Sequence, residues 1–190
     1  MEKRVYIFTG VPGVGKTSAA VRLAERLDAS YVNLSTLVIE KNLYSSKDEA
    51  NDAFEVDVEK AHPVIKHLIE SSNRTLVIDG HLASDIVDRE SASLVFVLRR
   101  APWILKSELE VRGYSKEKVR ENIEAELIGV CLTDAIRVFG ANRVCEIDTT
   151  SKSIDMIVEE ALSMIHGERR CLSSVVDWLA LADPEWLRSI

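Results

Sequence analysis

Apolar positions follow two rhythms along this chain. Short runs are apolar at every position (residues 5–8, 76–78 and 94–98), and between them lie longer stretches in which apolar residues return every three or four positions. A run apolar on both faces reads as a buried central strand of a parallel sheet, whereas a half-exposed antiparallel strand would alternate. Residues 4–9, 30–34, 75–79, 94–98 and 143–148 are predicted as five strands. Residues 15–27 carry Ala19, Ala20, Leu23, Ala24 and Leu27 at helical spacing, and 103–112, 116–139 and 153–165 read as further helices. Strands alternating with helices predict an α/β fold: a five-stranded parallel sheet with helices on both faces.

Smaller features punctuate this frame. Ser35 is placed to cap a helix through Leu37, Val38 and Ile39. Pro63 predicts a kink or a break in the helical stretch 57–71. Residues 44–54 are polar with little to bury and read as a mobile surface excursion. Residues 167–190 form a separate extension with two short apolar helical patches around Asp183-Pro184, whose Trp178 and Trp186 are expected to pack on the main domain, residues 1–166, with an exposed interaction patch as the alternative.

At 190 residues and 46% apolar content the chain buries a core sufficient for one domain. Its 24 basic against 31 acidic residues, a net charge of -7, exclude a protein that coats nucleic acid, while a basic protein partner stays compatible. Three cysteines, Cys131, Cys145 and Cys171, are odd in number and lack metal-like spacing, so free thiols in a reducing compartment are expected. No apolar run reaches membrane-spanning length and the first strand begins almost at once, which predicts a cytoplasmic protein without a membrane partner.

Chemistry enters at Gly10-Val11-Pro12-Gly13-Val14-Gly15-Lys16-Thr17, between the first strand and the first helix. Glycines there let backbone N–H groups curl inward as an anion nest, and the helix that follows adds its unpaired amides and positive dipole end. The pattern predicts ATP held by Gly13, Val14, Gly15, Lys16, Thr17 and Ser18, with Lys16 reaching the β- and γ-phosphates and Thr17 holding Mg²⁺.

In a parallel sheet the ligand lies beyond the carboxyl ends of the strands, which gives meaning to the residues found there. Asp79 ends the third strand, where it is able to serve the Mg²⁺ water shell or orient a nucleophile; its plainer reading is a turn cap before Gly80. His81 is a candidate for phosphate contact or a structural histidine. Arg112 and Arg120 flank a helix-to-helix junction able to close over nucleotide, and Arg120 has the plainer alternative of pairing with Glu117 or Glu124 on its own helix.

These residues taken together resemble a known family. Gly-Val-Pro-Gly-Val-Gly-Lys-Thr, Asn33 with Leu37 and Leu43-Tyr44, Asp79-Gly80-His81, Val97-Leu98-Arg99, Arg112-Gly113-Tyr114, Glu121-Asn122 and Ala125-Glu126 are similar, in order over roughly residues 4–165, to adenylate kinase isoenzyme 6 and its archaeal relatives. The resemblance implies a P-loop NTPase fold of the nucleoside monophosphate kinase type, with a short lid at about 109–119 and a monophosphate-binding excursion at about 30–55. It implies catalytic roles for Lys16, Asp79, His81 and Arg112, with Arg112 also on ATP, and a monophosphate site at Asn33, Ser35 and Leu37. It also implies ATPase activity and a link to small ribosomal subunit maturation through a basic ribosomal protein.

The chain departs from that family at Ile39 and Glu108, where relatives often carry phosphate-facing arginines; Lys41, Arg99 and Arg100 are the candidate replacements. Three functions therefore stay open: a nucleoside monophosphate kinase, an ATPase acting as an assembly factor, and a small-metabolite kinase with Asp79 as base.

Overall fold

The computed structural model describes residues 3–48 and 53–188. Along the chain run β1 (Val5–Thr9), α1 (Lys16–Arg26), β2 (Ser30–Asn33), α2 (Leu34–Glu40), β3 (Tyr44–Asp48), β4 (Ala53–Val56), α3 (Val58–Ser71), β5 (Leu76–Asp79) and α4 (Ala83–Ile86). They continue with β6 (Leu94–Arg99), α5 (Pro102–Val111), α6 (Lys116–Leu127), α7 (Val130–Phe139), β7 (Val144–Asp148), α8 (Ile154–Ile165), α9 (Trp178–Leu181) and α10 (Pro184–Leu187). Five strands form one parallel sheet in the order β2-β5-β1-β6-β7. The strand order reverses at β1, so its carboxyl end opens onto the crevice where such sheets bind ligands.

Alternation along β1 builds two cores. Tyr6 and Phe8 face a cluster with Leu23, Phe96, Leu98, Leu105, Ile147 and Val158, while Val5 and Ile7 face Leu34, Ile65, Ile78, Val97 and Phe139 on the other side. Helices cover both faces, as the uninterrupted apolar runs require.

Several expected details differ. Asn33, not Ser35, caps α2: its side chain accepts from the Thr36 amide at 2.8 Å, because β2 ends one residue earlier than predicted. Pro63 does not break α3, which runs 14 residues; its missing N–H falls near the start, and an Asp57 cap and the buried Ala61, Ile65 and Ile69 outweigh the lost bond. The excursion is an antiparallel hairpin, β3 with β4, held by the Tyr44 and Phe54 rings at 4.7 Å; residues 49–52 lie outside the described residues.

The predicted helix 116–139 is two helices. Gly129 breaks it with φ 66°, a conformation that glycine adopts without strain, and a Cβ there would sit 3.4 Å from the Arg99 guanidinium.

The cysteine expectation is overturned for two of the three. Cys145 and Cys171 form a disulfide across 26 residues, leaving Cys131 as the free cysteine among the described residues. Linear spacing did not reveal the pair, which forms because the C-terminal segment runs along edge strand β7, where the Glu146 amide donates to the Leu172 carbonyl at 2.7 Å. The reducing compartment inferred from free thiols thereby loses its basis. Trp178 is buried and donates from Nε1 to Glu126, and Trp103 meets both Trp178 and Trp186 edge-on.

Candidate active site

The glycine loop sits at the carboxyl end of β1, and its shape follows from its neighbours. Gly10 has φ 139° and leaves no room for a side chain: a Cβ would come within 2.5 Å of the Leu98 carbonyl oxygen on β6. Behind the loop the buried Thr149 hydroxyl lies 3.1 Å from the Val14 carbonyl and 2.9 Å from that of Arg99, donating to one or the other. Thr149 was not legible as a site residue, because its partners are distant in sequence.

A small cavity of about 130 Å³ is lined by Gly13, Gly15, Lys16, Thr17, Ser18 and Arg112. Arg112, at the carboxyl end of α5, and the loop, about 95 residues apart in sequence, thus share one small space. Lys16 Nζ donates to its own loop's Val11 carbonyl at 2.9 Å. Desolvation lowers the Lys16 pKa, and the neighbouring Asp79 carboxylate works against that fall.

Asp79 is 1% exposed and its side chain does not cap the turn at Gly80. Its Oδ2 accepts from Thr17 Oγ1 at 2.6 Å, Asn33 Nδ2 at 2.9 Å and Tyr31 OH at 3.2 Å, while Oδ1 is buried with no hydrogen-bond partner among the described residues. An orphaned buried carboxylate oxygen beside a hydroxyl is a fitting place for a divalent cation's water shell. Among the described residues no group of three or more His, Cys, Asp or Glu is arranged to hold a metal ion by itself.

Gly80 is required by packing, since a Cβ there would meet Leu34 Cβ at 2.8 Å. His81 stands on the wall of the neighbouring cavity, open to solvent on one side. Desolvation by the cleft and the Lys16 charge hold its pKa below the ordinary 6.5, against the pull of Asp79. Both influences favour the neutral imidazole over the charged one. Its NMR titration should show a midpoint below 6.5, moving up in a Lys16→Ala variant; a midpoint above 6.5 contradicts the placement. By linkage the unfolded chain takes up this proton first, so His81 contributes a loss of stability as pH falls from 6.5 toward the lowered value.

The neighbouring cavity, about 660 Å³, is walled by the hairpin (Phe54, Val56), α2 (Ser35, Val38, Ile39), His81 and Leu82, Pro12 and Tyr114. Its remaining wall is one stripe of α6: Lys118, Glu121, Asn122 and Ala125, spaced at helical period. Of the predicted monophosphate residues only Ser35 lines it. Asn33 is committed to Asp79 and to the α2 cap, and Leu37 packs into the core. The α6 stripe and Phe54 were missed, although the i, i+3, i+4, i+7 spacing on α6 carried a signal.

Other expected cations are spoken for. Arg99 is buried between Glu126 and Glu146, each at 2.8 Å, and Arg100 makes a two-point pair with Glu108 at 2.8 and 2.5 Å. Neither replaces a phosphate-facing arginine, which corrects that expectation and leaves Lys41, exposed at the end of α2. Arg120 pairs on the surface with Glu124 at 3.4 Å.

A family model described as "AAA domain" matches residues 7–129. A protein of Methanocaldococcus jannaschii provisionally named an adenylate kinase is 38% identical over 171 residues, covering 90% of each chain. One from Pyrococcus furiosus with the same provisional name is 38% identical over 174 residues, covering 92% of this chain and 91% of its own. The chain belongs to this adenylate-kinase-like P-loop family. Solved structures extend the comparison to fold: shikimate kinase of Bacteroides thetaiotaomicron matches with a TM-score of 0.60 at 16% identity, over 86% of this chain and 98% of that one. A gluconokinase of Sinorhizobium meliloti matches with a TM-score of 0.54 at 16% identity, over 98% of both chains. The family thus shares its fold with kinases named for other acceptors.

Proposed function

We propose that the protein is an ATP-dependent nucleoside monophosphate kinase. The observation that carries this reading is the pair of adjoining cavities: the phosphate-sized one and the larger one are flanked by the same two elements, the loop (Gly13, Pro12) and the lid (Arg112, Tyr114). The smaller takes the ATP phosphates. The larger falls in the size range of nucleotide-sized ligands, with apolar walls for a base and Ser35, Lys118 and Glu121 as polar contacts.

An acceptor phosphate is already ionised at neutral pH, so its oxygen attacks the γ-phosphorus without a strong base and ADP departs. Lys16 neutralises the transferred phosphoryl, Arg112 covers it from the lid, and the two elements exclude water. Bound Mg²⁺, held by Thr17 and served by Asp79, would supply charge neutralisation across the β- and γ-phosphates. The provisional names of the relatives agree with this reading.

A second reading is an ATPase acting as an assembly factor on a basic small-subunit ribosomal protein, in keeping with the narrower resemblance to isoenzyme 6. It is favoured by Ile39 in the cavity wall and by the closed Arg100–Glu108 pair, which weaken the grip on an acceptor phosphate, and by the net charge of -7. Incubation with ATP and Mg²⁺, with and without AMP, dAMP, CMP and UMP, separates the two. Diphosphate formed from an added monophosphate supports the kinase; free phosphate alone supports the ATPase. Asp79→Asn should lower turnover by roughly 10–100-fold with a smaller effect on ATP affinity. Wild-type turnover in that variant would reduce Asp79 to a structural residue.

A further inference from the structure

Three donors crowd one oxygen of Asp79 and none meets the other. Parallel pairing of β2 with β5 sets Asn33 opposite Asp79, and Tyr31, two residues earlier, lies on the same face of β2. Asn33 is fixed from both ends. Its Oδ1 accepts the Thr36 amide at the start of α2, which leaves Nδ2 to donate to Asp79 Oδ2 at 2.9 Å and to the Tyr31 oxygen at 3.3 Å. The Tyr31 hydroxyl then has its own hydrogen for Asp79 Oδ2, at 3.2 Å. The result is a closed triangle of Tyr31, Asn33 and Asp79 whose amide orientation is dictated by the helix cap.

We propose that Tyr31 and Asn33 are positioning residues that pin Oδ2 of Asp79, so that Oδ1 is the oxygen left to serve the cation of bound nucleotide. The inference rests on the nucleotide reading of this site and extends it to two residues that touch neither cavity. A carboxylate with one oxygen held by Thr17 alone would be free to swing about its Cβ–Cγ bond. Two further donors on the same oxygen remove that freedom, and keep Oδ1 unpaired despite its burial. Outer partners that orient a cation's ligands typically matter by roughly 10–100-fold in metal affinity or activity.

Two substitutions separate positioning from architecture. Tyr31→Phe removes one hydroxyl from the triangle. Asn33→Asp keeps the acceptor that caps α2 but replaces the donor by an anion facing Asp79, so it spares the cap and breaks the clamp. ADP binding is measured by calorimetry with and without Mg²⁺ on wild type and both variants. The gain in affinity that Mg²⁺ gives wild type should shrink about tenfold in Tyr31→Phe and further in Asn33→Asp, while metal-free ADP affinity stays within about twofold in Tyr31→Phe. In turnover, kcat should fall with KM for ATP little changed, and raised Mg²⁺ should restore part of it in Tyr31→Phe. Equal Mg²⁺ gains in wild type and Tyr31→Phe overturn the proposal. Absence of any ADP binding to wild type instead strikes the nucleotide reading beneath it. Should Asn33→Asp lose cooperative melting, Tyr31→Phe decides alone.

Discussion

Lys16→Ala should abolish turnover, with kcat/KM for ATP falling by about 10³-fold or more while the protein keeps its melting temperature. Lys16 is the ammonium inside the loop, in a cavity of about 130 Å³; Arg112 lines the same space from the exposed carboxyl end of α5. Preorganised charge in such a place is worth far more than in bulk water, and removing a single donor from a comparable site typically costs about 10²–10³. Because transferred phosphate carries its charge into the transition state, the loss should appear in both kcat and nucleotide affinity. Stability behaves differently. Burial already lowers the Lys16 pKa, so the folded chain bears a desolvation cost for that charge. The hydrogen bond to the Val11 carbonyl returns only part of it. Activity by a coupled assay and melting by circular dichroism test both halves, and retained turnover would remove the loop from the mechanism. Lys16→Arg is not a mild control, because a planar fork does not fit a space shaped for a point charge.

The contrast between loop and surroundings explains what was legible beforehand. Strands such as Val5–Thr9 and Leu94–Arg99 announce themselves because each position must be apolar when both faces are covered, and the loop does so because its chemistry needs fixed residues at fixed spacing. The place of Asp79 at a strand end was legible from the apolar run before it. What escaped depends on partners far away in sequence. Tyr31 looks like any strand tyrosine until β2 pairs with β5, and Thr149 looks like a turn residue until it meets Val14. The hairpin at Tyr44 and Phe54 is polar in composition, and only the meeting of the two rings and the burial of Leu43 turn it into a wall. Cys145 and Cys171 sit 26 positions apart, with nothing local to link them. Arg99 and Arg100 follow a strand as phosphate ligands often do, yet their carboxylate partners at Glu126, Glu146 and Glu108 lie on three other segments.

That buried cluster gives the largest expected effect on stability: Arg99→Ala should cost about 3–5 kcal/mol, and the cost should shrink in acid. Arg99, Glu126 and Glu146 are 3%, 1% and 1% exposed, and the guanidinium uses Nε on Glu126, Nη1 on Glu146 and Nη2 on the Glu126 carbonyl at 2.7–2.8 Å. Around it the carboxylates also take the Arg100 amide, the Trp178 indole and the Val175 amide, which fastens the C-terminal segment to α6 and β7. Removing the guanidinium leaves two carboxylates in a dry site with too few donors. Burial already raises the Glu126 pKa, and Arg99 is the foremost influence pulling it back down. Without Arg99 the folded-state pKa climbs further above the ordinary 4.5, so the folded chain holds more protons than the unfolded one in the window from 4.5 up to the raised value. Folding stability of the variant therefore falls as pH rises through that window. Denaturant titrations at pH 5 and pH 7 should find the gap between wild type and Arg99→Ala narrower at pH 5. A gap of equal size at both values would mean that the orphaned carboxylates find solvent, and that the C-terminal segment lifts away from β7 instead of sealing them in.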